Sequence, residues 1–303
     1  MALSSIQTFF SGSTMDRADH LRTDPEILGA LADADTARIM VFVEEQILTG
    51  PIGEITWLSA SQCRYLPVAE KIFLGISDNI HRYAATLSGG VDDFVDMFGE
   101  SKFRDARGIA MKAGHAHPEL GIIAQAKSVL SWHTSHRFCS NCGSESQLVK
   151  AGYERQCQTC GKNHFPRTDP VVIMLACHGD KALLGRGPHL PPNFFSALAG
   201  FMEPGETIEE AVARELMEEA GVTATSVEIV ANQPWPWPSS LMIGCMAQVE
   251  DTKLTLDEKE IDDARWVTKD EIRASLRGET PDMLVPPAIA IAYDLLQYWL
   301  TQK

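Results

Sequence analysis

At 303 residues the chain can bury a large core, and its length predicts two or more domains. Its composition, 45% hydrophobic and 22% charged, is typical of a globular protein, and its formal net charge of −15 argues against a generally nucleic-acid-binding surface while leaving room for one local basic site. No apolar run approaches the roughly 18–20 residues of a membrane span, and the N-terminus has no signal-peptide pattern, so we expect no membrane partner and a cytoplasmic location.

The first part of the chain, residues 1–130, predicts an N-terminal α+β domain. The stretches IMVFVEEQI, EITWLSA and KIFLGIS have the composition of strands and are separated by Gly and Pro turns. The later stretch HPELGIIAQAKSVLSWHTSH has the apolar spacing of a helix. This helix leads directly into a cysteine-rich segment, residues 131–167.

Four cysteines form the pattern CSNC, fourteen residues, CQTC. In a reducing compartment this spacing predicts a zinc site more than disulfides, because two thiolate pairs on tight turns complete a tetrahedron. The predicted ligands are Cys139, Cys142, Cys157 and Cys160. Four protein ligands leave no open position for water, so the site is predicted to be structural.

Two histidines and three cysteines remain to be placed. His133 and His136 lie close to the first cysteine pair and are further candidate ligands, but with four cysteines available we expect surface or interface histidines. Cys63, Cys177 and Cys245 have apolar neighbours and are predicted to be small buried hydrophobic residues.

The last part of the chain, residues 168–303, predicts a third domain. The stretch HFPRTDP reads as an extended linker, since residues before proline disfavour helix. The stretches VVIMLAC and ALLGRG then flank HGDK, which fits two strands joined by a turn.

A Glu-rich stretch, GETIEEAVARELMEEAGV, predicts a helix of about four turns. Thr207 with Glu210 forms a capping-box signature, and Gly221 is a natural C-terminal stop. At 100° per residue the apolar side chains fall on one stripe. That stripe contains Ala211, Val212 and Leu216.

Two carboxylates share the apolar stripe. Glu215 and Glu219 lie within it, one turn apart, and Glu218 flanks them. A Glu-rich helix is usually a solvated face, but side-by-side carboxylates in a partly dry groove repel each other and are costly to bury. A divalent cation removes both problems, and carboxylate oxygens suit Mg²⁺ or Mn²⁺. The geometry therefore predicts a metal site.

The segment GFMEPGETIEEAVARELMEEAGV resembles the Nudix box, G-x5-E-x7-R-E-U-x-E-E-x-G-U, at all nine fixed positions. The resemblance implies a Nudix hydrolase with an α/β/α sandwich and a mixed sheet. It implies that Glu215 and Glu219 are metal ligands with Glu218 beside them, and that the backbone carbonyl of Ala199 is a further ligand. It also implies that Arg214 and Glu206 pair and hold the loop and the helix together. Which glutamate acts as general base stays open.

A second stretch, NQPWPWPSSLM, resembles the SQPWPFPxS array of the NADH pyrophosphatase subgroup, whose members also remove NAD caps from RNA. That subgroup carries a four-cysteine zinc segment in the same place. Proline–tryptophan alternation also predicts a rigid buried corner, which part of the segment is expected to form. The substrate-binding array implied by the resemblance consists of Gln233, Pro234, Trp235, Pro236, Trp237, Pro238, Ser239 and Ser240.

Four further positions, of which Phe201 lies in the Nudix box itself, are transferred from the same resemblance. Phe165 and Phe201 correspond to aromatic residues that sandwich the nicotinamide ring, the first of them from a second subunit, which implies a homodimer. Glu260 corresponds to the distal glutamate of the metal site, and its alternative is a solvated acidic patch. Ala292 corresponds to a backbone contact with substrate. For both phenylalanines the alternative is core packing.

The expected activity is hydrolysis of NAD(H) to NMN(H) and AMP, with NAD(H) or the NAD-capped 5′ end of RNA as substrate. The expected cofactors are one structural Zn²⁺ per chain and catalytic Mg²⁺ or Mn²⁺. Two alternatives stay open: a broader ADP-ribose or dinucleotide pyrophosphatase, and a zinc-ribbon RNA-binding module whose Nudix domain acts as a sensor without turnover.

Overall fold

A computed structural model describes residues 6–114 and 119–302, and in it the chain forms two compact units. The N-terminal unit consists of Phe10–Thr168 together with Trp235–Ser239. The C-terminal unit consists, among the described residues, of 6–9, 169–234 and 240–302. The cysteine-rich segment belongs to the N-terminal unit, and the division into three domains stays a prediction.

The N-terminal unit contains a six-stranded sheet and four helices. The strands are β1 (Ala37–Val43), β2 (Gln46–Thr49), β3 (Trp57–Ser59), β4 (Val68–Ser77), β5 (Ile80–Leu87) and β6 (Lys102–Arg104). The helices are α1 (Pro25–Asp33), α2 (Ala60–Cys63), α3 (Ala106–Ala113) and α4 (Leu120–Ser135). The strand order is β4-β5-β1-β2-β6, with β3 paired to β1, so that β6 lies at an edge.

Two of the predicted strands in this sheet have different bounds in the structure. IMVFVEEQI spans two strands, because Glu44 and Glu45 both adopt positive φ and form a two-residue hairpin turn. EITWLSA contains only β3, because Ser59 caps α2: its hydroxyl accepts from the N–H of Gln62, whose side chain accepts from the N–H of Ser59. Turn and cap chemistry therefore overrides strand propensity at both places.

The cysteine-rich segment forms a small antiparallel sheet at the end of α4. Its strands are β7 (Ser146–Val149), β8 (Glu154–Cys157) and β9 (Asn163–His164). The predicted helix is confirmed from Leu120 onward, and the residues just before Glu119 lie outside the described part of the chain. Of the two histidines expected at the surface or at an interface, His136 is exposed, whereas His133 is fully buried. Its ring bonds to the carbonyl of Gly152 and to Arg155.

The C-terminal unit is built on a mixed sheet with helices on both faces. Its strands are β10 (Asp169–His178), β11 (Lys181–Arg186), β12 (Leu198–Phe201), β13 (Ala224–Trp235), β14 (Ser240–Val249) and β15 (Asp263–Thr268). Its helices are α5 (Ile208–Ala220), α6 (Lys269–Leu276) and α7 (Ile291–Thr301). The order is β13-β14-β10-β11-β15 with β12 paired to β10, and β10 runs parallel to β14.

Strand β10 explains why this sheet is covered on both sides. Ile173, Leu175 and Cys177 pack in one hydrophobic cluster with α6 and α7. Alternate residues Val172, Met174 and Ala176 pack in a second cluster with α5. Because successive side chains of a strand point to opposite faces, a continuous apolar strand requires two covering layers. The α/β class and the α/β/α sandwich expected from the sequence are confirmed.

No helix in the described part of the chain is both long and apolar enough to cross a membrane. The predicted hairpin is confirmed as β10 and β11, and the extended linker lies between β9 and β10. Cys63, Cys177 and Cys245 are buried, as expected.

Candidate functional site

Both ends of α5 are fixed by local chemistry. The Thr207 hydroxyl accepts from the N–H of Glu210, and the Glu210 carboxylate accepts from the N–H of Thr207. At the other end Gly221 adopts a φ of 68° and donates to the Met217 carbonyl. A Cβ on Gly221 would also meet Thr255 at 2.8 Å. These caps set the rotation of the helix, and so they set which side chains face the sheet.

The predicted mixed stripe on α5 is confirmed. Ala211, Val212 and Leu216 lie in the hydrophobic cluster beneath the helix. Glu215 and Glu219 share that face and are only 7% and 6% exposed. Glu218 is solvent-exposed, with 60% of its side chain accessible. The helix therefore holds two carboxylates at the edge of an apolar core, where their charges are poorly solvated.

Arg214 is the cation that partly offsets this charge. Its guanidinium donates to both carboxylate oxygens of Glu206, at 3.0 and 2.7 Å, and to the Phe201 carbonyl at 2.9 Å. It also contacts Glu215 at 2.7 Å and Glu218 at 3.0 Å. One planar group thus ties the loop before α5 to the helix, as the motif resemblance implied.

The Arg214–Glu206 pair predicts a pH-dependent stability. Hydrogen bonds from Arg214 and from the Glu203 N–H lower the pKa of Glu206 to about 2. A carboxyl with a lowered folded-state pKa stabilises the fold above its unfolded pKa, about 4.3, and loses that contribution as the pH falls towards 2. Glu206→Gln should therefore lower the melting temperature at pH 7, and the gap from wild type should narrow by pH 4 in thermal scans. An equal difference in melting temperature between variant and wild type at pH 7 and at pH 4 would contradict a stabilising Arg214–Glu206 ion pair.

Glu219 is the least satisfied group in the site. Its Oε2 is buried and has no hydrogen-bond partner among the described residues. Burial, followed by the charges of Glu215, Glu260 and Glu218, raises its pKa to about 8. The Glu219 carbonyl accepts from the N–H of Asp257, and this contact fixes the loop that carries Glu260. The structure thus brings all four glutamates into electrostatic contact.

The residues present fit a divalent cation. Glu219 has a buried carboxylate oxygen without a partner, and the charges of three further carboxylates act on it, which is a charge distribution that a hard cation such as Mg²⁺ or Mn²⁺ neutralises. The Glu215 carboxyl lies against Gly200, where any Cβ would collide with it. Ala199, the predicted backbone ligand, lies next to Gly200 in β12 and pairs with Ile173. The residues suited to hold the ion are Ala199, Glu215, Glu219 and Glu260.

The four cysteines form a tighter cluster. In the described part of the chain they are the only group of three or more His, Cys, Asp or Glu residues whose ligand atoms all lie within 4.8 Å of one another. Sγ atoms of Cys139 and Cys160 are 3.6 Å apart, and those of Cys142 and Cys157 are 3.5 Å apart. A tetrahedral zinc site with bonds of about 2.3 Å has sulfur–sulfur edges of about 3.8 Å. The cluster fits Zn²⁺.

Both cysteine turns have the same local geometry. Gly143 and Gly161 each adopt positive φ, and each donates to the carbonyl of the first cysteine of its pair, Cys139 or Cys157. Sequence reasoning missed His164, whose Nε2 lies 3.2 Å from the Sγ of Cys139. A metal-bound thiolate only accepts, so this nitrogen would donate to it. The sequence signal that could have identified His164 as a neighbour of the cluster is its position just after the second cysteine pair.

The proline–tryptophan segment belongs to the N-terminal unit from Trp235 to Ser239. The rings of Trp235 and Trp237 lie 4.8 Å apart, and the Phe10 ring meets both edge-on. Arg107 lies over the Trp237 ring at 4.6 Å, a contact that sequence reasoning did not find. The remaining members differ in exposure: Pro236 and Ser239 are buried, Pro234 and Ser240 are half-buried, and Pro238 is exposed.

Gln233 does not present its amide to solvent, which corrects the expectation that it hydrogen-bonds substrate. It is 0% exposed, and its Nε2 donates to the Ile289 carbonyl at 2.8 Å. Its Oε1 accepts from the N–H of Ile291 at 2.8 Å. Both ends of the Gln233 amide therefore bond to backbone at the start of α7, so the side chain joins β13 to α7 and has a structural role.

Gln233→Ala should lower the melting temperature while leaving substrate affinity nearly unchanged. The substitution leaves the buried N–H of Ile291 without a partner, a loss of about 1–3 kcal/mol. Thermal unfolding and KM for the substrate are the measurements, with the exposed neighbour Asn232→Ala as matched control. An unchanged melting temperature together with a raised KM would instead assign the amide to substrate.

The two candidate ring-stacking residues are both exposed, which removes core packing as an account of either. Phe165 is 62% exposed in the N-terminal unit, and Phe201 is 63% exposed in the C-terminal unit. Ala292 is buried in the first turn of α7, and its backbone contact with substrate stays a prediction.

Comparisons with known proteins agree with these two sites. The NUDIX domain model matches residues 166–285, and the NADH pyrophosphatase zinc ribbon domain model matches residues 134–165. The NAD-capped RNA hydrolase NudC of Mycobacterium bovis is 33% identical over 292 residues, covering 94% of this chain and 92% of that protein. Nudix hydrolase 19, chloroplastic, of Arabidopsis thaliana is 31% identical over 84% of this chain and 72% of that protein.

A further relative matches more closely over a shorter region. The human NAD-capped RNA hydrolase NUDT12 is 47% identical over 193 residues, which cover 60% of this chain. The chain spans only 42% of the length of that relative. The shared region thus concerns part of the human protein.

Proposed function

The chain belongs to the Nudix hydrolase family, with an NADH pyrophosphatase zinc ribbon, and from this premise we propose that it hydrolyses the diphosphate of NAD(H). Water oxygen bonds to one phosphorus, the P–O–P bridge breaks, and the products are NMN(H) and AMP. On RNA that begins with NAD the same reaction removes NMN and leaves a 5′-monophosphate. The observation that carries the proposal is the buried, unpartnered Oε2 of Glu219 among three other carboxylates.

The chain's own residues supply position and charge. Arg214 holds Glu215 and the loop at Phe201 in place, and a Gly at position 200 lets the Glu215 carboxyl approach the backbone. Bound Mg²⁺ or Mn²⁺ would neutralise the diphosphate, polarise phosphorus and lower the pKa of water. A glutamate of the cluster takes the proton of the attacking water, and each of the three on α5 is a candidate for that role.

The nicotinamide end of the substrate distinguishes NAD(H) from other diphosphates. Phe201 and Phe165 have free ring faces, and stacking on the nicotinamide would contribute about 0.5–1.5 kcal/mol beyond the area that is buried. We place Phe165 of the partner subunit against the ring, so that the active enzyme is a homodimer. Backbone at Ala292 and the hydroxyl of Ser240 are proposed as further substrate contacts.

The proposal is tested by incubating the protein with NADH, NAD⁺, ADP-ribose, diadenosine polyphosphates and NAD-capped RNA. Chromatography with Mg²⁺ or Mn²⁺, and with EDTA as control, identifies the products. NMN(H) and AMP formed only with metal are expected. Equal cleavage of all substrates would favour a broad dinucleotide pyrophosphatase. No cleavage of any would favour the RNA-binding module.

Phe165→Ala should lower kcat/KM for NADH more than for ADP-ribose, because ADP-ribose has no nicotinamide ring to stack. The expected ratio of the two losses is about 2–12-fold, which corresponds to the stacking energy. Phe138→Ala is the matched control, since Phe138 is another exposed phenylalanine of the zinc ribbon, at 65%. Equal losses on both substrates would remove Phe165 from nicotinamide recognition.

We propose the cytoplasm as the place of action, because free NADH and newly made RNA are both present there. The RNA-binding sensor is the weaker candidate, since the Arg214, Glu215, Glu218 and Glu219 set is complete and assembled in the structure.

A further inference from the structure

The loop that carries Glu260 is irregular, and helix α5 holds the chain on the N-terminal side of this residue. Residues 250–262 connect β14 to β15, and this stretch, all of which the structure describes, contains no helix or strand. The N–H of Asp257 donates to the Glu219 carbonyl at 3.1 Å. The Asp257 carbonyl in turn accepts from the N–H groups of Glu260 and Ile261, at 3.0 and 2.9 Å. Helix α5 therefore fixes the turn that leads into Glu260.

Arg186 holds the chain on the C-terminal side of Glu260. It is the last residue of β11, and it contacts Asp262 twice. Its carbonyl accepts from the Asp262 N–H at 2.9 Å, and its Nη1 donates to the Asp262 Oδ2 at 3.0 Å. The neighbouring Gly187 lies against Glu260 itself, because a Cβ at position 187 would be 3.4 Å from the Glu260 carbonyl oxygen. The end of β11 therefore fixes the backbone that follows Glu260.

The Arg186–Asp262 ion pair is partly enclosed by the protein. Only 16% of the Arg186 side chain is exposed, and 37% of the Asp262 side chain. A fully exposed pair contributes little, because water competes for both charges and two long side chains must be ordered. The Arg186 Nε is buried and has no hydrogen-bond partner among the described residues, which is destabilising. The main effect of the pair is therefore on the position of the loop, and its contribution to overall stability is small.

Glu260 requires such a restraint if it is to bind a cation. Its charge acts on the buried Glu219, and like charges repel each other, so that the carboxylates push the loop away from α5 when no cation lies between them. Groups that hold metal ligands in place through hydrogen bonds contribute roughly 10–100-fold to metal affinity. The two contacts of Arg186 act two residues after Glu260 and oppose the repulsion.

We propose that Arg186 is a positioning residue for the divalent-cation site and acts through Asp262 on Glu260. The inference rests on the proposed function, in which Glu260 is a ligand of the catalytic ion. Arg186 and Asp262 are 76 residues apart, and both lie outside the Nudix box and the proline–tryptophan array. By holding the loop in place beforehand, Arg186 reduces the ordering that binding of the ion would otherwise require.

The test measures Mn²⁺ affinity by isothermal titration calorimetry, without substrate, for Arg186→Ala, Glu260→Gln and the double variant. Arg186→Ala should weaken Mn²⁺ binding about tenfold, at the low end of the range for residues beyond the ligands. The double variant should bind Mn²⁺ as weakly as Glu260→Gln alone, since a residue that acts only through Glu260 has no effect once that ligand is lost. Arg273→Ala is the matched control and should keep wild-type affinity, because it breaks an ion pair of the same unit, with Asp270 on α6 at 2.8 Å.

These variants also separate positioning from folding. In NADH hydrolysis, Arg186→Ala should raise the Mn²⁺ concentration for half-maximal rate about tenfold and lower kcat at saturating Mn²⁺ by less than about threefold. Arg186→Lys keeps a cation opposite Asp262 and should recover part of the Mn²⁺ affinity. Melting temperatures in EDTA report any general loss of stability. If Arg186→Ala does not fold, Asp262→Ala removes the same ion pair and gives the same comparison.

Three results would overturn the inference. The first is wild-type Mn²⁺ affinity in Arg186→Ala. The second is an equal loss of affinity from Arg186→Ala in the wild-type and Glu260→Gln backgrounds, which would assign Arg186 to the fold alone. The third is unchanged affinity in Glu260→Gln, because Arg186 would then have no ligand to position. Absence of NADH hydrolysis by the wild type would instead refute the proposed function, and the Mn²⁺ titrations, which need no substrate, would still decide the role of Arg186.

Discussion

Replacement of Glu219 by glutamine should reduce turnover of NADH by about 10²–10⁴-fold while the fold persists. Glutamine keeps the shape of the side chain and removes the charge at a buried carboxylate oxygen of the site that has no partner among the described residues. Metal-assisted charge stabilisation supplies several kcal/mol in such sites, and each 1.36 kcal/mol is a factor of ten in rate. The measurement is kcat at saturating Mg²⁺ or Mn²⁺, with circular dichroism to verify folding.

Glu209→Gln is the matched control for this experiment, because Glu209 is an exposed glutamate on the first turn of the same helix. It should retain turnover close to wild type. If Glu219→Gln retained it as well, the carboxylate cluster would have no part in the chemistry.

The Glu219→Gln variant should be more stable than wild type when metal is removed. The folded-state pKa of Glu219, about 8, lies above its unfolded value of about 4.3. The folded protein then holds a proton that the unfolded chain has released, so that wild-type stability falls as the pH rises between these values. The melting-temperature advantage of Glu219→Gln in EDTA should therefore grow from pH 5 to pH 8.

Cys157→Ser should abolish zinc binding and unfold the ribbon. Cys157 is fully buried and its Sγ lies 3.5 Å from that of Cys142, so a serine there removes one of the four thiolate ligands. Zinc binding contributes about 10–16 kcal/mol to the folding of small zinc domains, which exceeds the stability of most domains. Elemental analysis should give one zinc per chain for wild type and none for the variant.

Cys63→Ser separates loss of a ligand from loss of a buried thiol. Cys63 is also buried in the N-terminal unit but lies outside the cluster, so that its variant should keep zinc. A folded, active wild-type preparation without zinc would contradict the assignment of the four cysteines. Loss of activity in Cys157→Ser is expected to follow from unfolding and not from a catalytic role.

Helix α5 could be predicted from the sequence because its signals are local. The cap at Thr207, the stop at Gly221 and the burial of Glu215 and Glu219 each depend on residues within four positions. The cysteine cluster was equally accessible, since ligand spacing fixes two turns. What these features share is that short-range chemistry determines them.

Features that depend on distant residues could not be predicted. Gln233 bonds to Ile289 and Ile291, more than fifty residues away, and no pattern near position 233 distinguishes that role from substrate binding. His133 is buried by contacts with Gly152 and Arg155 that form only once the ribbon has folded. Tertiary packing determines the role of Gln233 and the burial of His133, and residue type alone does not predict either.

The placement of Trp235–Ser239 has a consequence for synthesis on the ribosome. Phe10 and Arg107 are made early, but their partners Trp235 and Trp237 emerge only after more than three quarters of the chain has been translated. Domains usually fold in order from the N-terminus as they emerge. Here the first unit stays incomplete until the second is largely synthesised, so a nascent chain halted at residue 168 would expose the site that the tryptophans later fill.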